Sequence, residues 1–303
     1  MRTYERFPLT DIESFSYFVV RDRGRAVAVL PVSLLRGLDP LRQLRARYPV
    51  TGEERGLLSH VWHCYDAWIP GASTPAHVAA VTGAMCDLAR DLGAAWYGFV
   101  NVPAGSWLRE ALLAEGFPAH HIEDRYQVDL RGMTRVDDFI AGARPTGRKN
   151  YRRNGRRAAD AGVRVRVAPP RDVDLAAVTA LCAATSKRHG TGGYYPEELF
   201  TGFVTALGDA ACVIEIHEEE RLVGVAVSLR DRTRFHAWAC GVHYDVGGNY
   251  SPYPLLYTTS VAQALAEGRD TLEGGRGNHV FKRRHGLTPL ALDACLLPAR
   301  PAR

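Results

Sequence analysis

The sequence holds no apolar run near the roughly 18 residues that a membrane helix needs, which argues against a helical transmembrane protein. Its first residues, Met1-Arg2-Thr3-Tyr4-Glu5-Arg6, lead into a polar stretch and not into the apolar segment of a signal peptide, so a soluble cytoplasmic protein is expected. No CxxC pair and no Cys/His ligand spacing occurs among Cys64, Cys86, Cys182, Cys212, Cys240 and Cys295. These read as small buried hydrophobes in a reducing compartment; no metal site is expected, and a Cys nucleophile triad has no local support. Lysine is scarce as well: of 38 Lys and Arg residues only Lys149, Lys187 and Lys282 are lysine, so each compact, rotatable ammonium is a candidate for a specific task.

What is present is an ordinary globular mixture, 46% apolar and 23% charged, which excludes disorder of the whole chain. At 303 residues two packed units are expected, with one large domain as the alternative. The net charge of +5 is uninformative until it is located. Arg144, Arg148, Lys149, Arg152, Arg153, Arg156, Arg157, Arg164 and Arg166 are opposed within that segment only by Asp160, so the segment is strongly positive and the remainder of the chain is net negative.

The order of elements repeats. Tyr17–Val20 and Ala26–Val32 read as a hairpin, followed by an irregular stretch over 36–74, a helix capped at Thr74-Pro75 and ending at Gly93, a strand at 95–100, a helix capped by Ser106, and a strand at 126–130. In the second half 211–216 and 222–227 form a hairpin, 235–241 a third strand, and 255–265 a helix stopping at Gly268. A short strand at 271–273 then leads through a glycine turn and a basic turn to a last strand at 290–297. Two copies of one α/β unit follow from this order.

Between the copies, Asp137–Gly162 reads as one long helix weakened at Pro145 and Gly155. Arg148, Arg152 and Arg156 form one i,i+4 row and Lys149, Arg153 and Arg157 the next, spanning roughly half the circumference. Like charges so spaced repel. The arrangement suits either a solvated face balanced by acids elsewhere or a wall for a phosphate-bearing ligand, which arginine grips bidentately.

The densest cluster is Leu272-Glu273-Gly274-Gly275-Arg276-Gly277-Asn278-His279-Val280-Phe281-Lys282-Arg283-Arg284-His285-Gly286. It sets a carboxylate at a strand end, a turn whose backbone N–H groups admit a ligand, and cations able to stabilise an oxyanion or a phosphate. Tyr194 and Tyr195 follow the loop Gly190-Thr191-Gly192-Gly193 and either close over an acceptor or pack. His236 and Trp238 share a strand face by alternation, facing either a cleft or the core. The group His60, Trp62, His63, Tyr65, Asp66 and Trp68 is a second candidate border of an acceptor pocket.

In the helix Arg148-Lys149-Asn150-Tyr151-Arg152-Arg153, the turn before Tyr194-Tyr195-Pro196, and the ending Glu273-Gly274-Gly275…Lys282…His285-Gly286, the chain resembles the FemAB-like, Fem-type branch of the GNAT acyltransferase superfamily. Residues 136–297 carry the likeness, and 16–130 match as a divergent copy. The resemblance implies an α/β (α+β) fold of two tandem GNAT-like domains, each a mixed, mainly antiparallel sheet flanked by helices. They would be an N-terminal divergent domain over 1–135 and a C-terminal domain over 136–303 that includes the basic helix at 144–162. It implies acyl or aminoacyl transfer to an amine in a cleft between or beside them.

Two donors are then open. An acyl-CoA-type GNAT usually carries [QR]xxGx[GA] ahead of a helix, where backbone N–H groups hold a pyrophosphate. Arg21–Ala26 and Arg90–Ala95 satisfy the letters but sit in a hairpin turn and at a helix end, and the expected position, Asp245–Pro252, lacks the leading residue and contains Pro252. Gly247 and Gly248 are left as a looser anion nest. Fem-type enzymes take aminoacyl-tRNA, whose many phosphates suit a long basic face.

The expected activity is an aminoacyl-tRNA-dependent aminoacyltransferase forming an amide on the amino group of a small molecule or peptide, without a cofactor. An acyl-CoA-dependent N-acyltransferase is the alternative, and a non-catalytic RNA- or precursor-binding module comes third. Glu273 and Lys282 are the candidate catalytic residues, as base or amine-orienting group and as oxyanion or leaving-group stabiliser. Substrate-assisted proton transfer is equally open. Arg148, Lys149, Arg152, Arg153, Arg156 and Arg157 are the donor-binding candidates, and Tyr194, Tyr195, His236 and Trp238 the acceptor-binding ones.

Overall fold

The computed structural model describes residues 2–59, 63 and 65–299. In chain order the elements are α1 (Arg2–Arg6), β1 (Ile12–Asp22), β2 (Arg25–Leu35), β3 (Gly56–Ser59), α2 (Pro75–Asp91), β4 (Trp96–Pro103), α3 (Trp107–Ala114) and β5 (Ala119–Asp129). They continue as α4 (Val136–Gly142), α5 (Pro145–Asp160), β6 (Arg164–Ala168), α6 (Leu175–Arg188), α7 (Glu197–Leu207), β7 (Ala211–Glu218), β8 (Arg221–Arg230) and β9 (Arg234–Val242). The last are α8 (Pro252–Ala266), β10 (Thr271–Arg276), α9 (His279–Arg284) and β11 (Thr288–Pro298). No helix among the described residues is long and apolar enough to cross a membrane.

Contacts divide the chain into two compact units, Met1–Asp124 with Leu290–Arg303, and Arg125–Pro289. This division falls at 124/125, where the sequence suggests 135/136, and it places most of the final strand with the first unit. An exchange of strands explains the difference. In the first unit β1, β2, β3 and β4 follow one another, antiparallel except for the parallel β3–β4 pair, and β4 is completed by antiparallel β11. In the second, β6, β7, β8 and β9 are antiparallel in turn, β9 and β10 are parallel, and β10 is completed by antiparallel β5. Each unit is thus a mixed, mainly antiparallel sheet with a helix, α2 or α8, connecting its parallel pair.

The repeat is visible in the caps. Thr74 Oγ1 accepts from His77 N, Pro75 opens α2, and Val78, Val81, Met85 and Ala89 bury one face of it at helical spacing. Gly93 and Gly268 end α2 and α8 in the same left-handed conformation, φ +65° in both, closing each helix with a bond from the following residue back into the last turn.

The long helix expected over 137–162 is two helices. Ala143 and Arg144 are extended, Arg144 because Pro145 excludes the helical region for the residue before it, and Pro145 then opens α5. Gly155, expected as a weak point, lies inside α5 without interrupting it. The basic turn after Gly277 is the short helix α9. Strand β3, within the stretch read as irregular, and helices α6 and α7 were not anticipated. The Asp174 cap, accepting from Ala176 N and Ala177 N, and the buried Val178, Leu181, Cys182 and Thr185 were the available signal for α6.

Cys182, Cys212 and Cys295 are buried, and burial pushes the Cys212 thiol up to about 11 and that of Cys295 to about 12. Such thiols pack as hydrophobes and are poor nucleophiles. Cys64 lies outside the described residues.

Candidate active site

Strand β10 carries the site, and it lies entirely within the second unit. Glu273 is in register with Gln127 on β5 and His236 on β9. Its neighbour Leu272 enters the hydrophobic core with Phe235 and Val261. The Glu273 side chain is fully buried, yet both oxygens are engaged: Oε2 pairs with Arg125 Nη1, and Oε1 accepts from Gly275 N at 3.1 Å. The guanidinium and the backbone donor hold the carboxylate in place from two sides. This carboxylate is placed to anchor the turn. Tyr257 OH donates to the Gly274 carbonyl at 3.0 Å and fixes the turn from the other side.

Beyond the turn, α9 returns Lys282 to β10. The residue is 2% exposed, and its ammonium donates to the Arg276 carbonyl at 2.6 Å and lies 5.5 Å from the centre of the Tyr126 ring. The Tyr126 hydroxyl accepts from Arg283 Nε at 3.0 Å and lies 3.2 Å from His279 Nδ1. Arg276 donates to Tyr194 OH at 3.0 Å. Lys282, Arg276 and Arg283 therefore gather around two phenols, a field suited to developing negative charge.

Tyr194 is brought onto this segment, with Tyr195 edge-on to it at 4.9 Å. Tyr195 continues into Phe200 and Trp238, and Trp238 is buried, stacked on Phe200 at 5.5 Å and beside Phe203. Trp238 thus packs among aromatic side chains. His236 sits across from Glu273 and contacts Asp231 through Nε2 at 3.3 Å.

Helix α5 buries Gly147, Tyr151, Asn154 and Ala158. Its six candidate cations divide into two groups. Arg148 donates to the Ala141 and Ala143 carbonyls and Arg157 to the Asn249 carbonyl, so both tie the helix to its surroundings. Lys149, Arg152, Arg153 and Arg156 are exposed and, among the described residues, have no ion-pair partner. Spaced i, i+3, i+4 and i+7, they make one stripe covering roughly 100° of the helix. The buried side of α5 meets α9: His285 Nε2 lies 2.9 Å from Asn150 Oδ1, and Tyr151 OH donates to the His285 carbonyl. A cavity of about 280 Å³ opens there, lined by Asn150, Ser251, Tyr253, Asn278, Phe281 and Arg284 among others.

The loop entering α8 is the position where an acyl-CoA enzyme would cradle its diphosphate. Gly247 N and Gly248 N both donate, at 3.0 Å each, to the Glu218 carboxylate. Ser251 N donates to Asn154 Oδ1 at 2.7 Å, and Pro252 and Pro254 have no N–H. The two other stretches with matching letters are, as expected, a hairpin turn and a helix end.

Sequence reasoning missed Arg125, Tyr126, Tyr257 and Glu218. Only strand pairing between distant segments reveals the first two, although a Tyr and an Arg beside Gln127 on a core strand were a signal. Of the early aromatic group, His60 and Trp62 lie outside the described residues; His63 is buried in the first unit with Nδ1 3.3 Å from Tyr4 OH, and Trp68 is exposed. Among the described residues no group of three His, Cys, Asp or Glu is arranged to hold a metal ion.

The family model of the acetyltransferase (GNAT) domain matches residues 146–283. Among solved structures, FemX superposes with a TM-score of 0.66 at 11% identity, covering 96% of this chain and 89% of FemX. The C-terminal domain of a putative lysylphosphatidylglycerol synthetase from Agrobacterium fabrum gives 0.59 at 12% identity, covering 97% of this chain and 91% of that domain. A tandem GNAT protein from the clavulanic acid biosynthesis pathway gives 0.60 at 15%, covering 99% and 87%. No curated protein matches the chain in sequence. Residues 146–283 thus match a GNAT acetyltransferase domain, and the chain shares its fold with FemX and with a tandem GNAT protein.

Proposed function

We propose that this GNAT-fold acyltransferase transfers an aminoacyl group from tRNA to the amino group of a small molecule or peptide, in the cytoplasm where charged tRNA is found. The observation that carries the reading is the exposed stripe of Lys149, Arg152, Arg153 and Arg156 on α5, the helix whose buried side packs on the Lys282 segment. A cationic stripe of this length, left without acidic partners, matches a nucleic-acid backbone better than one diphosphate. The fold shared with FemX and with the lysylphosphatidylglycerol synthetase domain supports it.

In this reading the neutral acceptor amine attacks the ester carbonyl carbon, a C–N bond forms, and the bond to the tRNA 3′-oxygen breaks. The Lys282 ammonium stabilises the negative charge that develops on the oxygens. Glu273, held by Arg125 and Gly275, shapes the turn and is poorly placed to take the proton. The amine proton then passes to the leaving 3′-oxygen within the substrates. Tyr194, hydrogen-bonded to Arg276, borders the acceptor.

The test offers the protein charged tRNA or an acyl-CoA panel with a mixture of amines, and follows acceptor mass by mass spectrometry. Amide formation that needs charged tRNA and disappears with ribonuclease is expected. Turnover that persists after complete removal of tRNA, with release of free thiol from an acyl-CoA, overturns the proposal.

A further inference from the structure

We infer that Glu218 determines donor specificity by filling the anion-binding loop ahead of α8 with the protein's own carboxylate, so that donors bearing a diphosphate are rejected. The inference rests on the proposed use of a tRNA-borne donor and names the residue that closes the other route.

Two adjacent backbone N–H groups turned toward one point form a nest for an anion. Here that point is taken. Glu218 ends β7, and its two oxygens accept separately from Gly247 N and Gly248 N, a bidentate arrangement that copies two oxygens of a phosphate. The loop is tied down around it: Arg221 reaches the Asp245 carbonyl at 3.3 Å, and Arg157 donates to the Asn249 carbonyl at 2.7 Å. Position 248 admits no side chain, since a Cβ would stand 2.6 Å from Ala161 Cβ.

Three further positions at the helix end offer no free donor. Ser251 N is held by Asn154, and Pro252 and Pro254 remove two N–H groups from the first turn of α8. A diphosphate entering this loop would meet a fixed negative charge and would have to displace it from two charge-assisted bonds. The same carboxylate costs a tRNA donor nothing if the phosphates it presents lie along α5.

The test measures binding of inorganic pyrophosphate and of coenzyme A, by calorimetry, to the full chain and to Glu218→Ala, Glu218→Gln and Glu220→Ala variants. The wild-type protein is expected to show no saturable binding of either. Glu218→Ala should bind pyrophosphate at least about tenfold more tightly than wild type, the scale of two recovered donors to a charged group. Glu218→Gln keeps the shape of the side chain without its charge and serves if the alanine variant fails to fold; it should gain in the same direction. Glu220, exposed on the same hairpin, reports the general effect of removing an acid, and its variant should stay at the wild-type level.

Folded Glu218 variants that gain nothing, or an equal gain in Glu220→Ala, overturn the inference. Those outcomes leave the donor proposal standing. Tight coenzyme A binding by the wild-type protein, with thiol release on turnover, overturns the donor proposal itself.

Discussion

Arg125 on β5 and Glu273 on β10 form an ion pair in which both side chains are almost completely buried, 5% and 0% exposed. The pair joins two strands distant in sequence beneath the turn that carries the site. Removing one partner leaves an uncompensated buried charge, which typically costs about 3–5 kcal/mol. Glu273→Gln should therefore unfold at markedly lower urea concentration, and the double change Arg125→Met with Glu273→Gln should recover much of the loss. A Glu273→Gln protein of wild-type stability, with turnover lost and its pH profile changed, would instead make Glu273 the base.

The Lys282 ammonium donates to the Arg276 carbonyl and lies over the Tyr126 ring. Lys282→Met keeps the length and the packing while deleting the charge. Its kcat is expected to fall about 10²–10³-fold, the usual cost of one oxyanion donor, while the melting temperature stays close to that of the wild type. Lys282→Arg should not restore the rate, because a planar fork cannot replace a point ammonium in the same buried space.

Arg152 and Arg156 lie on the exposed stripe of α5, away from its buried face. Reversing both to Glu should weaken tRNA binding uniformly across tRNA species and flatten the dependence of binding on salt, while stability changes little. Arg148→Ala and Arg157→Ala are the contrasting pair. Each removes a tie to a backbone carbonyl, so it should lower thermal stability while leaving most of the salt dependence intact.

Much of this was legible in order and spacing. The caps at Thr74 and Ser106, the stops at Gly93 and Gly268 and both hairpins follow from local rules, and the duplication from their repetition. The basic stripe was legible as six residues because the helical period is fixed. Which four face solvent was not, since Arg148 and Arg157 are spent on carbonyls supplied by segments the helix folds against. The role of Glu273 was hidden for the same reason. Its spacing suited a base, but its environment is set by Arg125, 148 residues earlier in the chain, and pairing between such distant segments leaves no periodic trace.

Gly147 on α5 packs directly against the end of α9. A Cβ there would stand 2.2 Å from the Arg284 carbonyl oxygen, itself bonded to Arg144 N at 3.1 Å. Because the obstruction is backbone, it cannot rotate aside. Gly147→Ala should cost about 1–3 kcal/mol as an overpacked contact and push α5 away from the Lys282 segment, lowering turnover more than tRNA affinity. Gly155→Ala, with open space around it in the same helix, should be neutral or stabilising by up to about 1 kcal/mol.

His285 stacks on Phe281 at 3.7 Å and is 3% exposed. Burial lowers its pKa below the ordinary value and the Arg284 charge acts in the same direction, against the bond to the Phe281 carbonyl. A neutral ring must donate from Nδ1 to that carbonyl, 2.7 Å away, so Nε2 is an acceptor and the Asn150 amide must turn its NH₂ toward it. In the unfolded chain the imidazole takes up its proton near pH 6.5, before the folded protein does. Stability contributed by this residue is complete above that pH and declines as pH falls toward the folded-state pKa, by at most about 1.4 kcal/mol per unit. His285→Gln should be less stable at every pH through lost packing, but its stability should decline less between about pH 7.5 and 5.5 than that of the wild type. Denaturant titrations at several pH values across that window measure the difference, and equal declines would show that His285 does not set it.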